Sequence, residues 1–357
     1  MQKREKRGAR VETTMTQATS SPSPRIAIAM GDPAGVSPEL LARLLSQSEL
    51  LEQAAVAVIG DRRVLAEGEK IAGLVVDMPV VALSELERAA PGAPVFIDLG
   101  HLDPATLRMK EASAEGGAFA IRNFKEALLL AKAEQIDGIM FTPFNKLALK
   151  MAGNPYPDEI RWATDILDWK GECSEYNRLD NLWNARVTSH EPLKDVAGLL
   201  TRQRVVAAIE ATTRTLKAAG IERPRIAVAG LNPHAGEGGL FGREEIDVIA
   251  PAVADAQARQ YAVEGPFPAD TVWIKARRGD YDVVLTMYHD QGQIALKLLG
   301  FERGVTILGG MPVPITTPAH GTAYDIAGNG VADPSATIRA FETLLSLTSL
   351  RMARTAA

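Results

Sequence analysis

Three of the chain's five histidines stand just beyond segments that read as β-strands. His190 directly follows ARVTS, His234 follows RIAVAGL after two residues, and His289 directly follows DVVLTMY. Neutral imidazole is the commonest side chain for binding zinc and similar ions, and three such ligands leave one coordination position open for a reacting group. Taken singly, each histidine reads equally well as a hydrogen-bonded core or loop side chain. Their shared placement points instead to one divalent ion, provided that ligands from distant segments converge in space. Asp290 and Glu237 are near enough in sequence to orient two of the rings. HExxH, CxxC, GxSxG and P-loop signatures are all missing, and no GxGxxG follows a strand.

The elements that must hold these side chains are short apolar runs alternating with longer helical patterns. Strands are expected at 25–30, 55–60, 94–99, 138–143, 185–189, 225–231, 282–288 and 304–309. Several are continuous apolar runs, as strands covered on both faces require. Helices are expected at 116–134 and 202–219, where apolar residues recur at helical spacing. This alternation predicts an α/β fold with mostly parallel sheets, whose ligand crevice lies beyond the carboxyl ends of the strands. Glycine-rich stretches at 31–40, 234–242 and 320–330 suit close backbone approach to a ligand, although tight turns use glycine too. A cluster of Pro143, Gly153, Pro155 and Pro157 marks the expected crossing between two domains. The expected division is a first domain of 25–140 with 318–347, a second of 141–317, and a tail at 348–357.

Composition narrows the function. At 357 residues, with 46% hydrophobic and 23% charged, the chain is that of an ordinary globular protein. Residues 1–14 hold five basic and two acidic groups; the remainder, with 34 basic and 42 acidic residues, carries −8. An acidic body argues against nucleic-acid binding. No run of 18 apolar residues occurs, so no membrane span is expected. Residues 1–24 read as a disordered leader, with Met15 as an alternative start, and no apolar segment of a secretory signal follows. The single cysteine, Cys173, cannot form an internal disulfide, which fits a cytoplasmic location.

The strings AMGDPAGVSPE (29–39), SHEPLKDV (189–196), GLNPHAGEGGLFGREEID (230–247), GPFPADT (265–271), YHDQGQIALK (288–297) and HGTAYDIAGNG (320–330) together resemble the 4-hydroxythreonine-4-phosphate dehydrogenase (PdxA) family. The last string also resembles the adenosine-binding loop of isocitrate and isopropylmalate dehydrogenases. The resemblance implies a two-domain fold of that kind, which binds NAD or NADP without the Rossmann GxGxxG. It implies that His190, His234 and His289 hold one divalent ion (Zn, Mg, Co or Mn) and that Lys297 contacts substrate. It also implies a homodimer with metal ligands shared between subunits. Gly321, Asp325 and Gly328 are expected on the adenosine side of the cofactor. Asp270 and Lys146 are candidates for catalytic proton transfer.

The chain departs from the family pattern around the substrate. Tyr156, Pro157, Asp158 and Glu159 stand where Gly-His-Thr-Glu is usual, Thr306 replaces an Asn, and Ile315 replaces an Arg. Asp158 and Thr306 are therefore candidate substrate contacts in a changed pocket, and Trp162 or Trp169 could cover a carbon skeleton. The expected activity is metal-dependent oxidation of a secondary hydroxyl on a small hydroxy-acid, with or without decarboxylation. Candidate substrates are a sugar acid, phosphorylated or not, or a cyclic dihydrodiol carboxylate; Tyr156-Pro157 is shared with relatives resembling terephthalate dihydrodiol dehydrogenase. A nucleotide-free hydrolase or isomerase and a catalytically dead binding protein are the readings from other classes.

Overall fold

The computed structural model describes residues 23–356. The expected leader lies almost wholly outside that range. Twelve strands form one sheet: β1 (Arg25–Ala29), β2 (Ala55–Gly60), β3 (Val80–Val81), β4 (Val95–Asp98), β5 (Gly138–Phe141), β6 (Ser174–Leu179), β7 (Leu182–Arg186), β8 (Ile226–Ala229), β9 (Val263–Phe267), β10 (Val283–Thr286), β11 (Val305–Gly309) and β12 (Ile315–Pro318). Their spatial order is β3-β4-β2-β1-β5-β12-β11-β6-β7-β10-β8-β9. Pairing is parallel except where β11 meets β12 and β6, and where β6 meets β7. The antiparallel patch thus joins two parallel halves, and the fold is α/β.

Seven of the eight expected runs contain a strand, and the eighth, 185–189, overlaps only the last two residues of β7. Ile26, Ile28, Val56 and Val58 point into a core on one sheet face, which continues to Trp183, Ile226, Val283 and Phe341. Ala27, Ala29, Ala57 and Ile59 alternate to the other face, toward Phe124, Phe141, Trp162 and Ile315. Two buried faces explain the continuous apolar strands. The helices Ala114–Lys132 and Arg202–Ala218 begin where Ser113 and Thr201 accept hydrogen bonds from the amides of Gly116 and Arg204. Such caps satisfy amides that have no partner within the helix.

Four strands fall outside the expected set: β3, β6, β9 and β12. β6 is SEYNRL, too polar to read as a core strand, because Glu175 and Asn177 on one of its faces join the polar network described below. Residues 348–356, expected as a tail, instead complete the helix Ser335–Ala356, in which Thr348 is fully buried.

Candidate active site

Hydrogen bonds past the ends of β7 and β10 bring two of the three histidines together. The Val187 amide donates to Thr286 O (2.9 Å), the Thr188 amide to Met287 O (3.1 Å) and the Thr188 hydroxyl to the same carbonyl (2.7 Å). His190 and His289 consequently face each other, with ring centroids 5.6 Å apart. His289 opens the helix His289–Gly300, and its Nδ1 lies 2.7 Å from Asp290 Oδ1. Gln291 on the first turn accepts from the Met287 amide and donates to Gly230 O, both at 2.7 Å, so the ends of β10 and β8 are tied as well. Burial is the main cause holding His190 below the ordinary histidine range, followed by the nearby Lys146 cation, while Glu175 pulls the other way. The ring is thus neutral at neutral pH, the form that binds metals.

His234 stands apart from that pair. It begins a run of left-handed residues, with φ of 54° at His234, 53° at Ala235 and 42° at Glu237. Non-glycine residues in this region cost about 1–2 kcal/mol each, and such strain collects at functional sites. Glu245 supports the approach to the run by accepting from the amides of Leu231 and Asn232, both at 2.7 Å. The His234 side chain is 67% exposed, with Nδ1 3.6 Å from Glu237 Oε2. Among the described residues, no three His, Cys, Asp or Glu side chains gather as a metal-binding group. In this chain the expected trio is a pair and an outlier.

A polar wall lies beside the pair, on one face of β6, β7 and β11. The Asn177 amide donates to the Thr306 hydroxyl (2.9 Å), and Gln293 donates to Asn177 Oδ1 (2.6 Å). Arg186 Nη2 donates to Glu175 (2.8 Å) and also to Asn177 Oδ1. Gln293 is one helical turn beyond His289, so this network joins the histidine pair to the sheet. The helix can come this close because it carries Gly292: a Cβ there would lie 2.2 Å from Asn184 Oδ1.

Opposite the wall stand Lys146, the first residue of the helix Lys146–Met151, and Glu159, the first residue of Glu159–Ile166. Burial pushes the Glu159 carboxyl above its usual range, against the pull of Lys146. Lys146 therefore acts on both His190 and Glu159. Asp158 is a helix cap whose Oδ1 accepts from the Arg161 amide at 2.7 Å. Trp162, 2% exposed, is a core residue packed edge-on to Phe124 and under Tyr156, not a cover for substrate. Trp169 donates to Gly310 O (2.8 Å). Lys297 is exposed, its Nζ 5.8 Å from the Phe301 ring, and two turns (about 12 Å) along the helix from His289. Asp270 is exposed just past β9, the strand that adjoins the His234 segment.

The 320–330 loop, which carries Gly321, Asp325 and Gly328, docks on the GDPAG turn after β1. The Val36 amide donates to Thr322 O (3.0 Å), and Gly35 permits the approach, since a Cβ there would meet that carbonyl oxygen at 2.6 Å. The Tyr324 hydroxyl donates to Asp32 Oδ2 (2.6 Å). Asp32 is buried, and burial raises its carboxyl above the usual range despite hydrogen bonds from Tyr324 and Ala34. Gly328 takes φ of 77° and Asp325 is exposed. Sequence reasoning missed Arg186, Glu159, Asn177, Asp32 and Tyr324. Asp32 and Tyr324 lie within the quoted strings at 29–39 and 320–330, and Arg186 is a charge at the end of β7, LWNAR.

Residues 52–344 match the family model described as "Pyridoxal phosphate biosynthetic protein PdxA". The chain belongs to the PdxA family. It is 53% identical over 342 residues to the "Putative 4-hydroxythreonine-4-phosphate dehydrogenase 2" of Rhizobium meliloti (strain 1021), covering 96% of this chain and 97% of the relative. It is 41% identical to the "D-threonate 4-phosphate dehydrogenase" of Pectobacterium atrosepticum, covering 87% and 94%. The crystal structure of 4-hydroxythreonine-4-phosphate dehydrogenase from Klebsiella pneumoniae superposes with a TM-score of 0.78 at 36% identity, covering 92% and 99%. This PdxA-family oxidoreductase thus shares its whole fold, not a single domain, with its relatives.

Proposed function

We propose that this PdxA-family chain is a metal-dependent NAD(P) dehydrogenase that oxidises a secondary hydroxyl on a small phosphorylated hydroxy-acid of the D-threonate 4-phosphate type. The observation that carries the reading is the facing pair of His190 and His289, with the Lys146 and Arg186 cations and the Glu175 carboxylate within electrostatic reach, in a chain of this family. The relative named for D-threonate 4-phosphate supports the substrate class. The departures at Pro157, Asp158, Thr306 and Ile315 set this pocket apart from the usual family pattern. Ile315 is fully buried among apolar side chains, so no cation serves the substrate from β12.

The donor set fits a divalent ion: two neutral-capable imidazoles face each other, and a third is displayed on a strained, exposed loop. His190 and His289 would hold the ion from one subunit and His234 from the other. Leu240 and Phe241 beside His234, and Ile294 and Leu298 on the His289 helix, stay exposed, which suits a homodimer interface. Asp270 would reach the shared site with His234, and Lys297 would serve substrate at the helix's far end.

When bound, the ion supplies Lewis acidity to the substrate hydroxyl, and the nucleotide accepts the hydride. Lys146, a cation beside His190 and Glu159, would stabilise the alkoxide as it forms, and the Glu159 carboxylate would take the hydroxyl proton. Asp158 and Thr306 hold the shape of the pocket through the helix cap and the Asn177 bond. Gly321, Asp325 and Gly328 flank the adenosine side of the nucleotide. Oxidation at the carbon β to a carboxylate gives a 3-keto acid, which loses carbon dioxide readily. The test is formation of reduced nucleotide from D-threonate 4-phosphate and from 4-hydroxythreonine-4-phosphate, with NAD and NADP, before and after chelation. Higher kcat/KM for the threonate ester and loss on chelation are expected. No reduced nucleotide with either substrate overturns the reading.

A further inference from the structure

Arg186 is the least explained charge in the crevice. Its side chain is 1% exposed, at the end of β7. Nη2 serves Glu175 and Asn177, while Nε and Nη1 are buried and have no protein partner. A guanidinium cannot escape this by losing its proton, and each buried donor left unmade is destabilising. Its only carboxylate partner among the described residues, Glu175, has a side chain 21% exposed and so is itself part-solvated. Arg186 and Lys146 both lower the basicity of His190, which puts both cations within electrostatic reach of that ring. Two cations therefore flank the histidine pair, and one of them carries spare donors.

We propose that Arg186 is a substrate-binding residue whose end-on fork, the unpartnered Nη1 with the Nη2 now lent to Glu175, takes an anionic oxygen group, carboxylate or phosphate, of the substrate beside His190. Glu175 competes with that group: it holds the guanidinium in place when the crevice is empty of anion. Asn177, bonded to Arg186, Gln293 and Thr306 together, keeps the fork aimed. A planar fork of this kind discriminates anions by geometry as well as charge. This deepens the dehydrogenase reading and rests on it only for the identity of the substrate.

The experiment measures equilibrium binding without nucleotide, on the full chain. Inorganic phosphate, D-threonate and D-threonate 4-phosphate are titrated by calorimetry into wild type, Arg186→Gln and Glu175→Gln. Arg186→Gln should weaken the responsible anion roughly 10- to 100-fold, as expected for losing charge-assisted bonds. Glu175→Gln should tighten it, because the competing carboxylate is gone. Loss with both threonate ligands but not with inorganic phosphate assigns the carboxylate; loss with inorganic phosphate and the ester but not with D-threonate assigns the phosphate. Arg186→Gln may be replaced by Arg186→Lys if it does not fold; Lys keeps the charge without the fork, and a weaker but measurable loss is expected. Equal affinities in wild type and the arginine variants, or weaker binding in Glu175→Gln, overturn the proposal. Anion binding that depends on Arg186 in a protein that oxidises neither ester would keep the proposal and reject the dehydrogenase reading.

Discussion

Tyr324→Phe removes one hydroxyl that ties the 320–330 loop to the GDPAG turn. The hydroxyl donates to Asp32 at 2.6 Å, and the only other bond to that carboxylate among the described residues comes from the Ala34 amide at 2.8 Å. Asp32 is 2% exposed, so water does not replace the lost donor readily. A hydrogen bond to a buried charged acceptor is worth about 1.5–3 kcal/mol, and that is the expected loss at neutral pH. The pH dependence follows from the raised Asp32 carboxyl. A group raised above its unfolded value favours the folded state most below the unfolded pKa, about 3.9 for Asp, and that stability is lost as pH rises through the folded pKa. Removing the hydroxyl pushes the folded pKa further up, so variant and wild type diverge where Asp32 is ionised and converge in acid. Burial first, and then Asp32, hold the Tyr324 hydroxyl above its usual range, so it stays protonated across this window. Urea unfolding followed by tryptophan fluorescence, at neutral pH and near the ordinary carboxylate range of about 4, measures both effects. A neutral-pH loss below about 0.5 kcal/mol, the range of plain surface substitutions, would refute the reasoning, as would a loss that does not vary with pH.

If the metal site is shared, mixing His190→Ala with His234→Ala subunits should restore roughly a quarter of wild-type turnover, because half of randomly mixed two-fold dimers hold one intact site. Two inactive parents that stay inactive after mixing would place all three ligands in one subunit or dismiss one of them. Trp162→Ala should cost about 3–5 kcal/mol in chemical denaturation, since the ring is 2% exposed in the aromatic core; a near-neutral result would return it to the substrate pocket. Asp325→Ala should raise the KM for nucleotide more than that for substrate, and an unchanged nucleotide KM would remove the loop from the cofactor site.

Apolar periodicity is local, so the residues alone determine the buried parallel strands and the capped helices between them. The family strings are equally local, and so is the position of each histidine just past a strand. Which side chains meet depends on register and packing between segments far apart in the chain. His190 meets His289 because Thr188 is laced to Met287 across 99 positions. Asn177 reaches Thr306 across 129 positions from a strand whose polar residues hide it from pattern reading. That Asp158 caps a helix shows only in the fold, where its Oδ1 accepts from the Arg161 amide three residues on. His234 looks like its two counterparts in sequence and differs from them in the fold. Its left-handed loop leaves the ring exposed and apart from the facing pair.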